Sequence, residues 1–314
     1  MKDSFNRRID YLRISVTDFC NFRCSYCMPE EGIVAKKREE ILSLEEIYFL
    51  ARLFVEMGVT KIRLTGGEPL LRPGLEGLIY SIARLEPIRD LAMTTNAYVL
   101  EDRAKKLKEA GLNRVNISLD SLNPMVFSGL TKGELAPVLR GIDAALEAGL
   151  GVKINTVLLK GINDGEIEKM ADFAMERGVD IRFIELMPLG ENGAFSDRHF
   201  LSCDAVLERL ELEELERQVK SSPATMYSYK GKGRVGLIRP LSCSFCSHCN
   251  RLRLSSDGKL RPCLHSDEYI DLLTPLRKGE DLRPYIEEAL KNKPFSHHIN
   301  EGEIARESMH RIGG

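Results

Sequence analysis

The run Tyr11–Cys27, YLRISVTDFCNFRCSYC, joins an apolar strand directly to three cysteines. Tyr11–Thr17 reads as a strand because apolar residues alternate with Arg13 and Ser15. The loop that follows spaces Cys20, Cys24 and Cys27 as C-x3-C-x2-C, with Tyr26 between the last two thiols. Iron–sulfur clusters are usually held by four cysteines, so a tight loop offering three thiolates leaves one iron of a cubane open to a small molecule. The plainer alternative is zinc or buried structural thiols. A closed zinc site wants four ligands in a tetrahedron, and no fourth lies nearby: the next cysteine is Cys203 and the first histidine is His199.

Outward from this loop, short β-branched runs alternate with longer amphipathic ones. The strand candidates are Tyr11–Thr17, Lys61–Thr65, Asp90–Thr95, Arg114–Leu119, Val152–Leu159 and Asp180–Leu186. Helical patterns between them include SLEEIYFLARLFVEMG, EDRAKKLKEAG and LAPVLRGIDAALEAG, which end at Gly58, Gly111 and Gly149. Ser43 with Glu46 reads as a capping box opening the first. Repeated strand–helix units predict an α/β fold with a parallel sheet. Alternation alone leaves a six-stranded partial barrel and an open doubly wound sheet both standing. After Asp197 the rhythm changes. CDAVLERLELEELERQVK reads as one charged helix, a boundary falls near Ser221–Pro223, and a Gly/Lys-rich stretch leads into a second cysteine group. The polar end, SHHINEGEIARESMHRIGG, reads as a frayed tail.

Composition bounds the function. The chain has 314 residues, 43% hydrophobic and 29% charged, with net charge −2, an ordinary globular balance that gives no support for bulk nucleic-acid binding. No apolar run approaches a membrane span, and the start KDSFNRRID lacks a signal-peptide core. The expectation is a cytoplasmic protein, where eight cysteines read as metal ligands before disulfides.

Polar groups recur at strand ends. Gly66-Gly67-Glu68-Pro69 follows KIRLT, Thr94-Thr95-Asn96 closes the third strand, Ser118 and Asp120 the fourth, and Glu185 and Met187 the sixth. Each alone reads as a turn or helix cap. Their recurrence at one end of successive strands fits a ligand site at one barrel face. Arg13, Lys61, Arg63 and Lys153 alternate onto the face opposite their apolar neighbours. In a barrel that face is the interior, where converging cations call for an anionic, phosphorylated ligand. Cys246, Cys249 and Cys263, with Cys243 upstream, could close a four-thiolate site, or three could again leave an iron open. Between them Arg251 and Arg253 alternate on a short strand and Ser255–Gly258 reads as a turn. Cys203 reads as an inert thiol.

The cysteine loop and GGEP resemble the radical S-adenosylmethionine (SAM) superfamily. The runs RISVTDxCNFRCxYC, KIRLTGGEPLLR and FCxxCNRLRLxxDGKLRPC, with the terminal Gly313-Gly314, resemble the molybdenum cofactor biosynthesis protein A family, GTP 3′,8-cyclases, over essentially the whole chain. The resemblance implies a partial (β/α)6 barrel over 3–220 and a C-terminal domain over 221–314, carrying a second Fe–S cluster and the Gly-Gly tail. It implies two [4Fe–4S] clusters, one on Cys20, Cys24 and Cys27, the other on Cys246, Cys249 and Cys263. Tyr26, Gly67, Ser118 and Met187 would contact SAM. Arg13, Arg63, Thr94, Lys153, Arg251, Leu252 and Arg253 would hold GTP. Arg251, Arg253, Gly313 and Gly314 would act in catalysis, the tail reaching into the active site.

The implied reaction is that of a lyase. The 5′-deoxyadenosyl radical from SAM takes the ribose 3′ hydrogen of GTP, and C3′ bonds to guanine C8, the first step of molybdenum cofactor biosynthesis. The implied partners are a low-potential electron donor and cyclic pyranopterin monophosphate synthase downstream, with room for a homodimer and no nucleic acid or membrane. Three features depart from the family pattern: Phe19 where a basic residue is usual, Ala97 where Gly is usual, and the additional Cys243. The rival readings are a peptide-modifying radical SAM enzyme, which would usually carry more auxiliary cysteines, and a zinc-stabilised scaffold, which would need closed four-ligand sites.

Overall fold

The computed structural model describes residues 1–28, 36–190, 193–297, 299 and 305–312. Six parallel strands form its centre: β1 (Tyr11–Ser15), β2 (Lys61–Thr65), β3 (Asp90–Thr95), β4 (Arg114–Ser118), β5 (Gly151–Leu158) and β6 (Asp180–Glu185). Helices α1 (Leu44–Glu56), α2 (Leu75–Ile82), α3 (Ala104–Glu109), α4 (Pro124–Thr131), α5 (Leu135–Glu147) and α6 (Ile167–Glu176) lie between them in the chain. The strands neighbour one another in chain order, β1 through β6. A doubly wound sheet reverses its order at a switch point, so the sequence's two alternatives resolve to the barrel-like one.

Period-two alternation sorts the side chains. Leu12, Ile14, Ile62 and Leu64 are fully buried in the same apolar core as Ile47, Leu50 and Phe54 of α1. Burying each such side chain contributes about 1.5–3 kcal/mol. The Ser43 hydroxyl accepts from the Glu46 amide at 3.1 Å, and the Ser43 amide donates to Glu46 at 2.7 Å, so α1 opens on the capping box its sequence predicts.

The later chain extends both edges of this sheet. After α7 (Gly193–His199) and α8 (Asp204–Arg209) come β7 (Leu212–Glu214), β8 (Ala224–Tyr229) and β9 (Gly233–Ile238). The charged run expected as one helix therefore breaks at Leu210. Leu210 is buried, and the residues after it pair antiparallel with β8, exchanging a fully polar helix face for sheet hydrogen bonds. The Gly/Lys-rich stretch is the turn and second strand of a hairpin, and β9 lies parallel on β6. At the opposite edge β10 (Arg251–Leu254) lies parallel on β1, followed by β11 (Lys259–Arg261) and β12 (Ile270–Asp271). Helices α9 (Leu273–Arg277) and α10 (Arg283–Lys291) follow, and α11 (Met309–Ile312) is the last described element.

The tail is not frayed where it is described. The Gly190 amide donates to the Ala305 carbonyl at 2.8 Å, and His310 and Ile312 are buried.

Candidate active site

Register gathers charge on the concave face. Arg13 of β1 sits opposite Arg63 of β2 and Arg253 of β10, and one step back Tyr11 sits opposite Lys61 and Arg251. With Arg114 and Arg182 these side chains line a cavity of about 510 Å³. The Tyr11 ring lies between two guanidiniums, with Arg63 at 5.5 Å and Arg251 at 5.7 Å from its centroid. Burial pushes the Tyr11 phenol up, but Arg63, Arg13, Arg114 and Arg251 outweigh it and bring the group to about 8. Burial and neighbouring cations hold Arg13 well below its usual value. Arg114 is held by Asp90, at 2.7 and 3.0 Å. The Nε atoms of Arg13, Arg63 and Arg182 and the Thr94 hydroxyl are buried with no hydrogen-bond partner among the described residues. A wall of desolvated cations with unspent donors is suited to a polyanion.

Cys20, Cys24 and Cys27 line one part of this cavity. Their loop is anchored on the end of α4, where the Arg23 amide donates to Thr131 at 2.8 Å and the Ser25 amide to Leu130 at 3.1 Å. Burial pushes the Cys20 thiol up to about 11 and the Cys27 thiol up to about 12. Burial, then the adjacent Cys27, raises Cys24 well above the usual thiol. Tyr26 donates to Asp120 at 2.7 Å, and Asp120 also accepts from the Val157 amide at 2.8 Å. Gly67, Ser118 and Met187 line the same cavity.

The GGEP glycines have a backbone reason beside any ligand. A Cβ on Gly67 would lie 2.3 Å from the Phe19 carbonyl oxygen, and one on Gly66 2.3 Å from that of Thr17. The Gly67 amide donates to the Thr17 carbonyl at 2.9 Å and the Glu68 amide to the Phe19 carbonyl at 2.7 Å, so GGEP packs directly on the approach to Cys20. Glu68 accepts from Thr95, Asn96 and Leu70, tying β2 to β3.

Cys246, Cys249 and Cys263 line the same cavity. Cys243 is exposed and is not part of that lining. Glu185, fully buried at the end of β6, accepts from the Ser242 hydroxyl at 2.5 Å and from the Leu241 and Ser242 amides at 3.2 Å. It fixes the segment entering the second cysteine group, as Glu68 fixes the approach to the first. Burial pushes the Cys249 thiol up, yet Lys293, Arg251 and Arg7 together bring it down to about 7. Among the described residues no three Cys, His, Asp or Glu groups draw together tightly enough for a single metal ion. Two separate soft-donor triplets on one cavity fit iron–sulfur clusters and do not fit a closed zinc site.

Some expected residues stand elsewhere. Lys153 is not in the cavity lining and pairs with Asp180 at 2.7 Å, because an anion one strand over in register reaches it first. The Leu252 side chain packs in the apolar core, as its place between two inward arginines requires. Gly313 and Gly314 lie outside the described residues. Cys203 is a buried thiol against main-chain carbonyls, raised by burial.

Sequence reading missed Tyr11, Arg114 and Arg182, although each keeps the period-two phase of Arg13 and Arg63 on its own strand. His265 and His297 also line the cavity, rings 5.1 Å apart, as does His310, whose Nδ1 lies 3.3 Å from the Cys27 carbonyl oxygen. No local pattern marks these three histidines.

Residues 14–174 match the Radical SAM superfamily, and residues 179–299 match Molybdenum Cofactor Synthesis C. The chain is 49% identical to a GTP 3′,8-cyclase of Peptoclostridium acidaminophilum, over 99% of this chain and 98% of that one. It is 48% identical to a GTP 3′,8-cyclase of Thermodesulfovibrio yellowstonii over the full length of both. Among solved structures, Streptococcus suis SuiB bound to precursor peptide SuiA superposes with a TM-score of 0.64 over 96% of this chain and 76% of that one, at 15% identity. Likeness at that distance speaks for the fold alone.

Proposed function

The chain belongs to the GTP 3′,8-cyclase family of radical SAM enzymes, and from that premise we propose how its own residues carry the reaction. It is a lyase that joins C3′ of GTP to guanine C8 in the first step of molybdenum cofactor biosynthesis, with [4Fe–4S] clusters and SAM as cofactors. One observation supports the assignment of parts best: both thiol triplets and the cationic wall share one cavity.

In this reading Cys20, Cys24 and Cys27 hold the SAM cluster, and Tyr26, Gly67, Ser118 and Met187 orient SAM. Cys246, Cys249 and Cys263 hold the second cluster. When bound, these cofactors supply the electron that cleaves SAM and an open iron for the guanine. Arg13, Arg63, Thr94, Arg251 and Arg253 hold the nucleotide, joined by Lys61, Arg114 and Arg182. Lys153 joins them by exchanging Asp180 for a phosphate, and Leu252 contributes main chain only. Desolvated guanidiniums fix the triphosphate, leaving the ribose one orientation toward the cleaved SAM and removing the entropy of alignment from the hydrogen transfer. Arg251 and Arg253 stand in register between the second triplet and β1, so they align the base as well as the phosphates. Gly313-Gly314 completes this positioning.

The core barrel over 3–220 and the auxiliary unit over 221–314 are part of the same reading. So are a cytoplasmic setting, which keeps the cysteines reduced, a low-potential electron donor, a homodimer, and transfer of product to cyclic pyranopterin monophosphate synthase. No described helix is long and apolar enough to cross a membrane.

The test is anaerobic incubation of reconstituted protein with SAM, dithionite and GTP, followed by mass analysis. Cyclised guanine nucleotide should appear in step with 5′-deoxyadenosine. 5′-Deoxyadenosine with unchanged GTP would sink the substrate assignment.

A further inference from the structure

Two buried cations not assigned to the nucleotide above hold the second thiol triplet, Lys293 from the cavity lining itself and Arg7 from outside that lining. Lys293, just past α10, is 3% exposed. Its Nζ donates to the carbonyl oxygens of Arg251 at 2.9 Å and Pro262 at 2.5 Å. Arg7 is 8% exposed. Its Nη1 donates to the carbonyls of Cys246 at 2.8 Å and Phe295 at 2.7 Å, its Nη2 to Pro294 at 2.6 Å, and its Nε to Asp3 at 2.6 Å. Every segment bearing a thiol of this triplet is thus tied to one of the two. Cys246 is held through its own carbonyl, Cys263 through Pro262, and the strand after Cys249 through Arg251.

The two charges are not equivalent. Asp3 compensates Arg7. Both described partners of Lys293 are neutral carbonyls, which leave its charge in place. A buried ammonium is costly unless an anion balances it. The anions at hand are the thiolates: the two carbonyls that Lys293 holds belong to Pro262, directly before Cys263, and to Arg251, two residues after Cys249. The first triplet differs: Arg23, which donates to the Cys20 carbonyl at 2.8 Å, is exposed to solvent, whereas the carboxylates Glu68 and Asp120 beside that loop are buried.

We propose that Lys293, supported by Arg7, poises the second cluster: fixed positive charge beside its thiolates stabilises the reduced form and raises its potential above that of the first cluster. The inference rests on the reading that both triplets hold clusters. The step concerned adds one electron to the cluster and moves no proton. Net charge and buried surroundings are among the protein's levers on iron–sulfur potentials. Lys293 is a positioning residue here, acting through the cluster and not on the substrate.

The experiment is an anaerobic redox titration of reconstituted full-length protein, followed by electron paramagnetic resonance, with the first cluster as internal reference. Lys293→Gln keeps an amide donor and removes the charge, while Lys293→Arg keeps the charge. The Gln variant should lower the reduced-to-oxidised ratio of the second cluster about tenfold at a fixed potential, a shift of about 59 mV for one electron. The first cluster should not move, and the Arg variant should stay near wild type. Arg7→Gln, removing the other charge, should shift the second cluster in the same direction.

An unmoved second cluster in Lys293→Gln overturns the proposal. So does an equal shift in Gln and Arg, or loss of the second cluster in both, since these report scaffolding alone. Wild-type protein that assembles a cluster at one triplet only overturns the two-cluster reading itself, and is recognised before any variant is made.

Discussion

The two cysteine triplets face one cavity from differently charged settings. Around Cys20, Cys24 and Cys27 the buried ionisable neighbours include the carboxylates Asp120 and Glu68, the cation Arg23 is exposed, and burial raises every thiol. Around Cys249 the neighbours are Lys293, Arg251 and Arg7, and the thiol falls to about 7, while burial still raises Cys263. Each triplet also has its own buried glutamate as a splint, Glu68 for the first and Glu185 for the second. The same architectural device therefore serves two sites whose electrostatics differ. Geometry is shared between them; on the proposal above, the electron's preference is not.

The largest effects should come from the cysteines we propose as cluster ligands. Cys24→Ser should abolish SAM cleavage. Cys249→Ser should retain some uncoupled cleavage and make no cyclised nucleotide. Assays of 5′-deoxyadenosine and nucleotide mass separate the two, and identical behaviour with the first cluster intact would erase the division between the sites.

Next come the splints. Glu185→Gln turns one accepting oxygen into an amide that faces the Leu241 and Ser242 amides or the Ser242 hydroxyl. Glu185 is fully buried while Leu241 is half-buried and Ser242 exposed, so leaving these donors unmatched costs about 1 kcal/mol. The second cluster should be lost and the first kept. Glu68→Gln, facing Thr95, Leu70 and Asn96, should do the reverse. Iron content with spectroscopy of the remaining cluster reads both, and loss of both clusters in either variant would show the sites to be one cooperative unit.

A smaller effect should follow from the wall between them. Arg182→Gln removes a half-buried cation with a buried Nε that touches neither triplet's anchoring bonds. GTP binding should weaken by roughly tenfold or more, as for a lost charge-assisted hydrogen bond, while uncoupled SAM cleavage stays unchanged. Equilibrium binding of GTP to the anaerobic protein measures it.

How much of this was legible in the sequence depends on the range of the interaction that carries it. The Cys20–Cys27 loop, the six strands and the capping box at Ser43 are local patterns, and their positions match to within a residue or two. Arg13 and Arg63 were legible through period-two alternation, which also marks Arg114 and Arg182 to a reader who extends the phase. Lys153 kept the phase and still went to Asp180, because cross-strand register decides partners and register is not written in one strand. The run after Cys203 was misread since its charges suit a helix while β8, which draws it into the sheet, comes later in the chain. Arg7 and Lys293 had no signal at all: they meet Cys246 and Pro262 across 239 and 31 residues.

The smallest expected effect concerns Asp120, which belongs to the first site's anionic setting. Burial pushes its carboxyl up to about 6 from an ordinary 3.8, even though Tyr26 and the Val157 amide donate to it. A raised folded-state value means the folded chain binds the proton more tightly than the unfolded chain. Between pH 3.8 and about 6 the native state then carries more protons, so this group's contribution is largest at the acid end and is lost as pH rises through the window. Asp120→Asn carries no titratable proton and should lack that slope. Urea midpoints of the two full-length proteins, taken at several pH values across the window, should diverge in favour of the Asn variant as pH rises. Divergence toward wild type would mean that Tyr26 and Val157 hold an ionised carboxylate, with a folded-state value below the ordinary one. The first site would then tolerate a fixed negative charge beside its thiols, and the contrast with the Lys293 side would be sharper still.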